Sequence, residues 1–259
     1  MQDSIGSPTS TRNDSNRAAA SSPPINSRAV QLLLIVLSVT AGSTDIISFL
    51  GLNGLFTAHI TGNLVILAAR VVAGEPAPVA PILSVPVFIV VIILTRMLAA
   101  RLDSRGIASL RPLLFLQFVL LAGFLILCVA PGTRIDPNAT DAIVAGMLGV
   151  SAMAVQNALV QLSLKGAPST AAMTSNVTGF AMDIGEVLVG SEAAAVAEAR
   201  KNVARILPPI IGFAAGCAIG AACEARFGLL SLTLPAALAL LACALGFAGR
   251  DMASAATAR

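Results

Sequence analysis

Asp45, His59 and Asn63 lie within nineteen residues of one another in otherwise apolar sequence, and His59 is the chain's one histidine. A carboxylate and an imidazole titrate near pH 3.9 and 6.5, so together they can relay a proton. Asp45 follows an uncharged run from Ala29 to Thr44. If that run is helical, Asp45 sits about 24 Å along it, in its last third. A charge within a membrane segment costs about 2.5–3.5 kcal/mol on insertion scales and calls for a cavity or a partner. Two readings of Asp45 stand side by side. One is a cation or proton site. The other is a carboxylate that caps a nearby helix N-terminus or pairs with an arginine. His59 likewise reads as a relay or as a hydrogen-bonded imidazole.

The same stretch contains Thr57-x-x-x-Thr61-Gly62, and Thr174-x-x-x-Thr178-Gly179 repeats it 117 residues later. An offset of 113 instead pairs Asn63 with Asn176. Threonines four apart on a helix share a face, and the following glycine admits a close neighbour. The motif therefore reads as small-residue packing, or as a broken helix that offers backbone groups to an ion. Asp183 and Glu186 are three apart, hence on one face: a cation site if buried, solvated charges if at the inner surface. Gln156, Asn157 and Gln161 are amides that line a polar path or join helices. Gly212, Gly216 and Gly220 make two G-x-x-x-G steps, a close crossing within the fold or between protomers. Pro208-Pro209 is expected to bend or break their helix. Cys128, Cys217, Cys223 and Cys243 form no C-x-x-C pair and read as small buried residues. No phosphate loop, zinc spacing or nucleophile elbow occurs, so catalytic, metal and cofactor sites are expected to be absent, and the chain does not read as an enzyme.

The elements that must position these groups follow from composition. The chain is 56% hydrophobic and 11% charged, with net charge +3. Soluble domains carry about 25% charged residues. This balance excludes an ordinary cytosolic enzyme, and the small net charge argues against nucleic acid as a partner. The chain reads as a polytopic membrane helical bundle, all-α, whose partners are the lipid bilayer, a small solute or ion, and possible further copies of itself. Residues 1–28 are expected to be a disordered cytoplasmic tail, 29–249 the transmembrane domain and 250–259 a second cytoplasmic tail. Six segments suit a span of about 20 residues: 29–50, 79–102, 112–130, 139–164, 203–223 and 229–248. Two more, 55–73 and 169–190, are polar enough to be irregular or re-entrant; if both cross, there are eight spans. With six, thirteen of the 16 basic residues fall on the inner side, which orients both termini to the cytoplasm. The span pattern repeats, giving two related halves, about 29–131 and 139–249. Three full spans per half would make the halves oppositely oriented, a build that recurs among secondary transporters.

The stretch Ala41-Gly42-Ser43-Thr44-Asp45-Ile46-Ile47-Ser48-Phe49-Leu50, with Phe56 and Thr61-Gly62-Asn63, resembles the first-half signature of the YoaK-like bacterial membrane proteins, domain of unknown function 1275. Val155-Gln156-Asn157-Ala158 and Thr174-x-x-x-Thr178-Gly179-x-x-x-Asp183 resemble its second-half signature. Ser43 and Ala154 depart from it, standing where an aromatic and a glycine are expected. The resemblance spans about residues 29–249 and implies a multi-pass protein of the bacterial inner membrane. It implies no substrate.

The residues themselves favour a secondary transporter or permeation protein for a small solute. Its expected path runs between the two T-x-x-x-T-G segments, lined by Asp45, His59, Asn63, Asn157 and Asn176. The alternative is a non-transporting scaffold that assembles through its glycine ridge.

Overall fold

The computed structural model describes residues 28–76, 78–130 and 139–257, with side chains up to residue 247. The expected tail over residues 1–27 lies outside these residues. Among the described residues the fold is all-helical: α1 (Arg28–Gly51), α2 (Ile60–Val72), α3 (Val79–Ser104), α4 (Leu110–Val129), α5 (Thr140–Ser163), α6 (Met173–Val189), α7 (Ala193–Phe227) and α8 (Thr233–Thr257), with a 3-10 turn at Gly228–Leu232. Five stretches are long and apolar enough to cross a bilayer, and the longest, Ala193–Phe247, takes in α7, the turn and most of α8. α8 continues to Thr257, over most of the expected tail at 250–259.

Two helices form the centre. In α1 and α5 most of the apolar window is buried, whereas α3 presents Ile89, Val90, Ile93 and Leu94 outward. An apolar outer surface over a less apolar interior is what a lipid solvent demands. The hydroxyls of α1 are satisfied within the helix: Ser38 donates to the Leu34 carbonyl (2.9 Å), Thr40 to that of Val36 (2.8 Å) and Thr44 to that of Thr40 (2.6 Å).

Helix pairing has a regular pattern. α1 packs along α7 as α5 packs along α3; α5 packs on α4 as α1 packs on α8; α2 lies on α3 as α6 lies on α7. The glycines explain the α1–α7 pair. A Cβ on Gly212 would touch the Ile35 carbonyl (3.2 Å), one on Gly216 would meet Val39 Cα (3.0 Å), and one on Gly220 Ser43 Cα (2.9 Å). The ascending order on both helices makes them parallel. The G-x-x-x-G ridge is thus a crossing inside the fold.

Pro208-Pro209 does not break α7, which runs unbroken over 35 residues. The ridge that follows locks the helix to α1, and that packing outweighs the two backbone bonds the prolines remove. The helix also starts ten residues before the expected span at 203–223. Arg28, Arg101, Arg105, Arg111, Lys165, Arg200, Lys201 and Arg205 gather toward one end of the bundle together with Arg96, leaving Arg70 and Arg226 at the other. Arg111 ties that end, donating to the carbonyls of Gly246 (3.1 Å) and Phe247 (3.0 Å) on α8.

Candidate functional site

The site is built where the connector 52–59 leaves α1. Asn53 and Gly54 both take positive φ (53° and 87°), conformations that asparagine tolerates and glycine adopts freely, and so reverse the chain. The connector then runs back along α1 to Asp45, two turns before the helix ends. Asp45 Oδ1 accepts hydrogen bonds from the Thr57 and Ala58 backbone N–H groups (2.7 Å each) and from the Thr57 hydroxyl (3.3 Å). Its Oδ2 lies 2.7 Å from His59 Nδ1. Asp45 is 3% exposed, and every donor around it is supplied by the connector.

From this depth α2 rises again, and Arg70, near its C-terminus, donates to the carbonyl (2.8 Å) and side-chain oxygen (2.9 Å) of Asn53. Ten residues of helix climb about 15 Å, so α2 returns to the level from which the connector descended. The segment 55–73 therefore doubles back beside the end of α1. Asn63 fixes its turn: Oδ1 accepts from the Phe56 N–H, while Nδ2 donates to the Phe56 carbonyl and to Ser84 Oγ on α3, each at 2.8 Å.

The second connector, 164–172, repeats part of this. Asn176 Nδ2 donates to the Ser169 carbonyl (2.7 Å), which is the Asn63–Phe56 contact displaced by 113 residues. Thr170, equivalent to Thr57 at the same offset, receives a bond from Gln156 Nε2 (2.9 Å), where Thr57 meets Asp45. Gln156 also donates to the Leu37 carbonyl on α1 (2.9 Å) and accepts from Gln117 on α4 (2.7 Å). Gln117 Oε1 is buried and has no partner. One tip is thus held by a carboxylate and the other by a neutral amide.

Several expectations are corrected. Of the two offsets left open, the asparagine-to-backbone contact recurs at 113, while at 117 Thr57 lies in a connector and Thr174 inside α6. For the same reason Thr57 and Thr61 do not share a helix face. Thr61, Thr174 and Thr178 are exposed, and Thr178 donates to its own helix at Thr174 (2.9 Å). Gly62 faces only the Phe56 ring, and Gly179 has ordinary contact with Ile206, so neither marks a close helix crossing. Asn157 donates to the Met153 carbonyl of its own helix (3.0 Å) and does not join Asp45. α2 lies on α3 and α6 on α7, and among the described residues the two polar segments share no extended interface. Asp183 is half-buried and Glu186 exposed; Lys201 pairs with Glu198 (3.5 Å) and Arg205 with Asn202 (3.0 Å) instead of with these acids.

The structure brings together Asp45, His59 and, through the connector, Asn63. Sequence reasoning left out Thr57, Phe56 and Ser84 as site residues, although all three are set by the turn that Asn63 makes. His59 lies in the connector, outside the apolar spans. Its ring stands edge-on to Phe56 and Phe213, with centroids 6.1 and 5.4 Å away, and its side chain is 36% exposed. The hydrogen bond to Asp45 raises its pKa above the usual 6.5, burial opposes this, and the Asp45 charge adds to the rise. With the carboxylate on Nδ1, the neutral ring carries its proton there and leaves Nε2 as the free base.

Asn63→Ala removes three hydrogen bonds and frees the turn. At about 1 kcal/mol each the loss is about 3 kcal/mol. Asn176→Ala removes one strong bond and is expected to cost about a third as much. Thermal melts of the two purified variants check the ratio; equal losses would contradict the pinning role of Asn63.

A family model described as protein of unknown function (DUF1275) matches residues 33–245, and the chain belongs to that family. Neither a curated protein nor a solved structure matches the chain.

Proposed function

From membership in this membrane-type helical family, we propose that the protein is a secondary transporter or permeation protein for a small solute in the bacterial inner membrane. Asp45 and His59 form its proton-handling pair. The observation that carries the reading is the half-exposed imidazole held by a buried carboxylate at the turn of a re-entrant segment. Interrupted segments inside the bundle are where transporters bind coupling ions.

Two features support a build of six crossing helices in two related halves. The pairing of α1 with α7 is matched by that of α5 with α3, and the Asn63–Phe56 contact recurs 113 residues later as Asn176–Ser169. Three crossings per half, with α2 and α6 returning to the side they left, make the halves inverted. The end that gathers nine of the eleven basic residues with described side chains is assigned to the cytoplasm, with both termini there. The reading involves no enzymatic step and no cofactor. A scaffold assembling through the glycine ridge is less well supported, because the ridge is covered by α1.

Proteoliposomes holding a pH-sensitive dye test the reading. Under an imposed potassium diffusion potential, the protein is expected to admit protons, either alone or with one solute from a panel of sugars, amino acids and inorganic ions. Asp45→Asn is expected to lower that flux at least about tenfold, the loss expected when a positioned proton-transfer group is removed. A folded wild type that moves neither protons nor any of these solutes would overturn the reading.

A further inference from the structure

α1 and α7 part slightly before their glycine crossing. There Gln31, Leu34, Ala204, Arg205, Pro208 and Pro209 line a cleft of ≈ 20 Å³. Its position is set by the register of the pair, in which Ile35 faces Gly212 and Val39 faces Gly216. Extending that register by two turns places Arg205 level with Arg28, at the basic end of the bundle. Below the cleft the outward surface is apolar, with Leu32 and Ile211 47% and 57% exposed. Above it stand Arg28, Lys201 and Arg205, all exposed; Lys201 is engaged by Glu198, and Arg205 gives one of its five N–H groups to Asn202.

The prolines give the cleft a second property. Pro208 and Pro209 lie inside α7 and carry no N–H, so the carbonyls of Ala204 and Arg205 lack the donors that a regular helix would give them. Both residues line the cleft beside the Gln31 amide and the Arg205 guanidinium, which also donates to Asn202 Oδ1 (3.0 Å). A ligand matched to this set brings an anionic oxygen for Arg205 and hydroxyl donors for the carbonyls. It also has an apolar body to lie along Leu34 and the exposed surface beneath.

We propose that an anionic phospholipid bearing hydroxyls beyond its phosphate, of the phosphatidylglycerol type, seats its headgroup on the basic rim of this cleft and places one hydroxyl inside, where the volume suits a single water-sized group. Basic clefts between helices at the bilayer rim suit such headgroups. The site depends on membrane embedding and not on transport, so it stands or falls separately from the solute reading. It leaves Asp45 and His59 untouched.

Native mass spectrometry of the purified full chain, mixed with defined lipids, tests it. Phosphatidylglycerol is expected to be retained at least about fivefold over phosphatidylcholine, the ratio that one well-placed arginine supplies at a membrane surface. Phosphatidic acid, anionic but without the headgroup hydroxyls, is expected to fall between them. Arg205→Ala combined with Gln31→Leu should bring phosphatidylglycerol down to the phosphatidylcholine level, with Arg205→Lys intermediate. Equal retention of phosphatidylglycerol and phosphatidylcholine by the wild type would overturn the proposal, even if no variant folds. So would undiminished retention by the double variant, or full occupancy by soluble glycerophosphoglycerol at the lipid's own concentration, which would make the site one for a free phosphodiester.

Discussion

Gly216→Leu is expected to abolish the folded protein, and Gly216→Ala to cost about 2–3 kcal/mol, at the upper end of overpacking penalties. A Cβ at this position collides with the Val39 carbonyl oxygen and stands 3.0 Å from both Val39 C and Cα. These are backbone atoms of the most buried helix, so they cannot turn aside as a side chain does. Gly42 presents the reciprocal case, facing the Phe213 carbonyl and, at 3.1 Å, Cys217 N. Helix propensity works in the other direction, favouring alanine over glycine by about 1 kcal/mol, so any loss measures the crossing itself. Gly185 in α6 supplies the control. Nothing lies within 4 Å of its would-be Cβ, and Gly185→Ala should leave stability unchanged or raise it. The chain has no Trp or Tyr to report unfolding, but Cys128 and Cys243 are buried. A thiol-reactive dye that fluoresces as they emerge follows the melt. A Gly216→Ala melting temperature equal to that of the wild type would refute the ridge as the determinant of the α1–α7 pair.

Asp45→Ala is expected to be nearly as damaging, at about 3–5 kcal/mol, because it strands the partners of a buried charge. The Thr57 and Ala58 N–H groups and the His59 ring all lose their acceptor. Asp45→Asn behaves differently. Its side-chain oxygen still accepts both backbone bonds, and charge-neutral bonds are about half as strong, so a cost of about 1–2 kcal/mol is expected. Its amide donates to His59 Nδ1 and drives the ring proton to Nε2, which removes the free base while keeping the fold. The wild type should also carry a pH signature. Because His59 titrates above 6.5 when folded, the pair's stabilisation is complete below that unfolded value and is lost as pH rises through the raised one. Melts across pH 5–9 should show this decline in the wild type, and a flatter profile in Asp45→Asn. Identical profiles would show that the pair does not couple to folding.

The relation between Asp45 and His59 shows how far the sequence could be read. Both were visible as polar groups in apolar surroundings, and capping and proton relay were open as competing readings. The structure joins them: Asp45 holds the chain ahead of α2 and also orients the imidazole. The motif register was left open between two offsets for a related reason. T-x-x-x-T-G matches by residue type at 117, whereas the contact that fixes each turn, an asparagine on the backbone seven residues earlier, repeats at 113. Identity of letters does not reveal which residues are helical. Asn157, Thr174 and Thr178 stood beside Asn63 as candidate path residues, but their side chains turn to their own helix or outward.

The sequence by itself determined the class of solvent, the helical architecture and the shortlist of charges, because hydrophobic length and the cost of burying charge are local, additive quantities. It also marked the glycine ridge, since three small residues on one face permit a close approach wherever the partner stands. Only the tertiary structure decided that the partner is α1, that 55–73 turns back, and that Asp45 meets His59. These depend on how far a connector folds back along a helix already in place, which is set by hydrogen bonds between segments and by packing, not by any pattern within one segment.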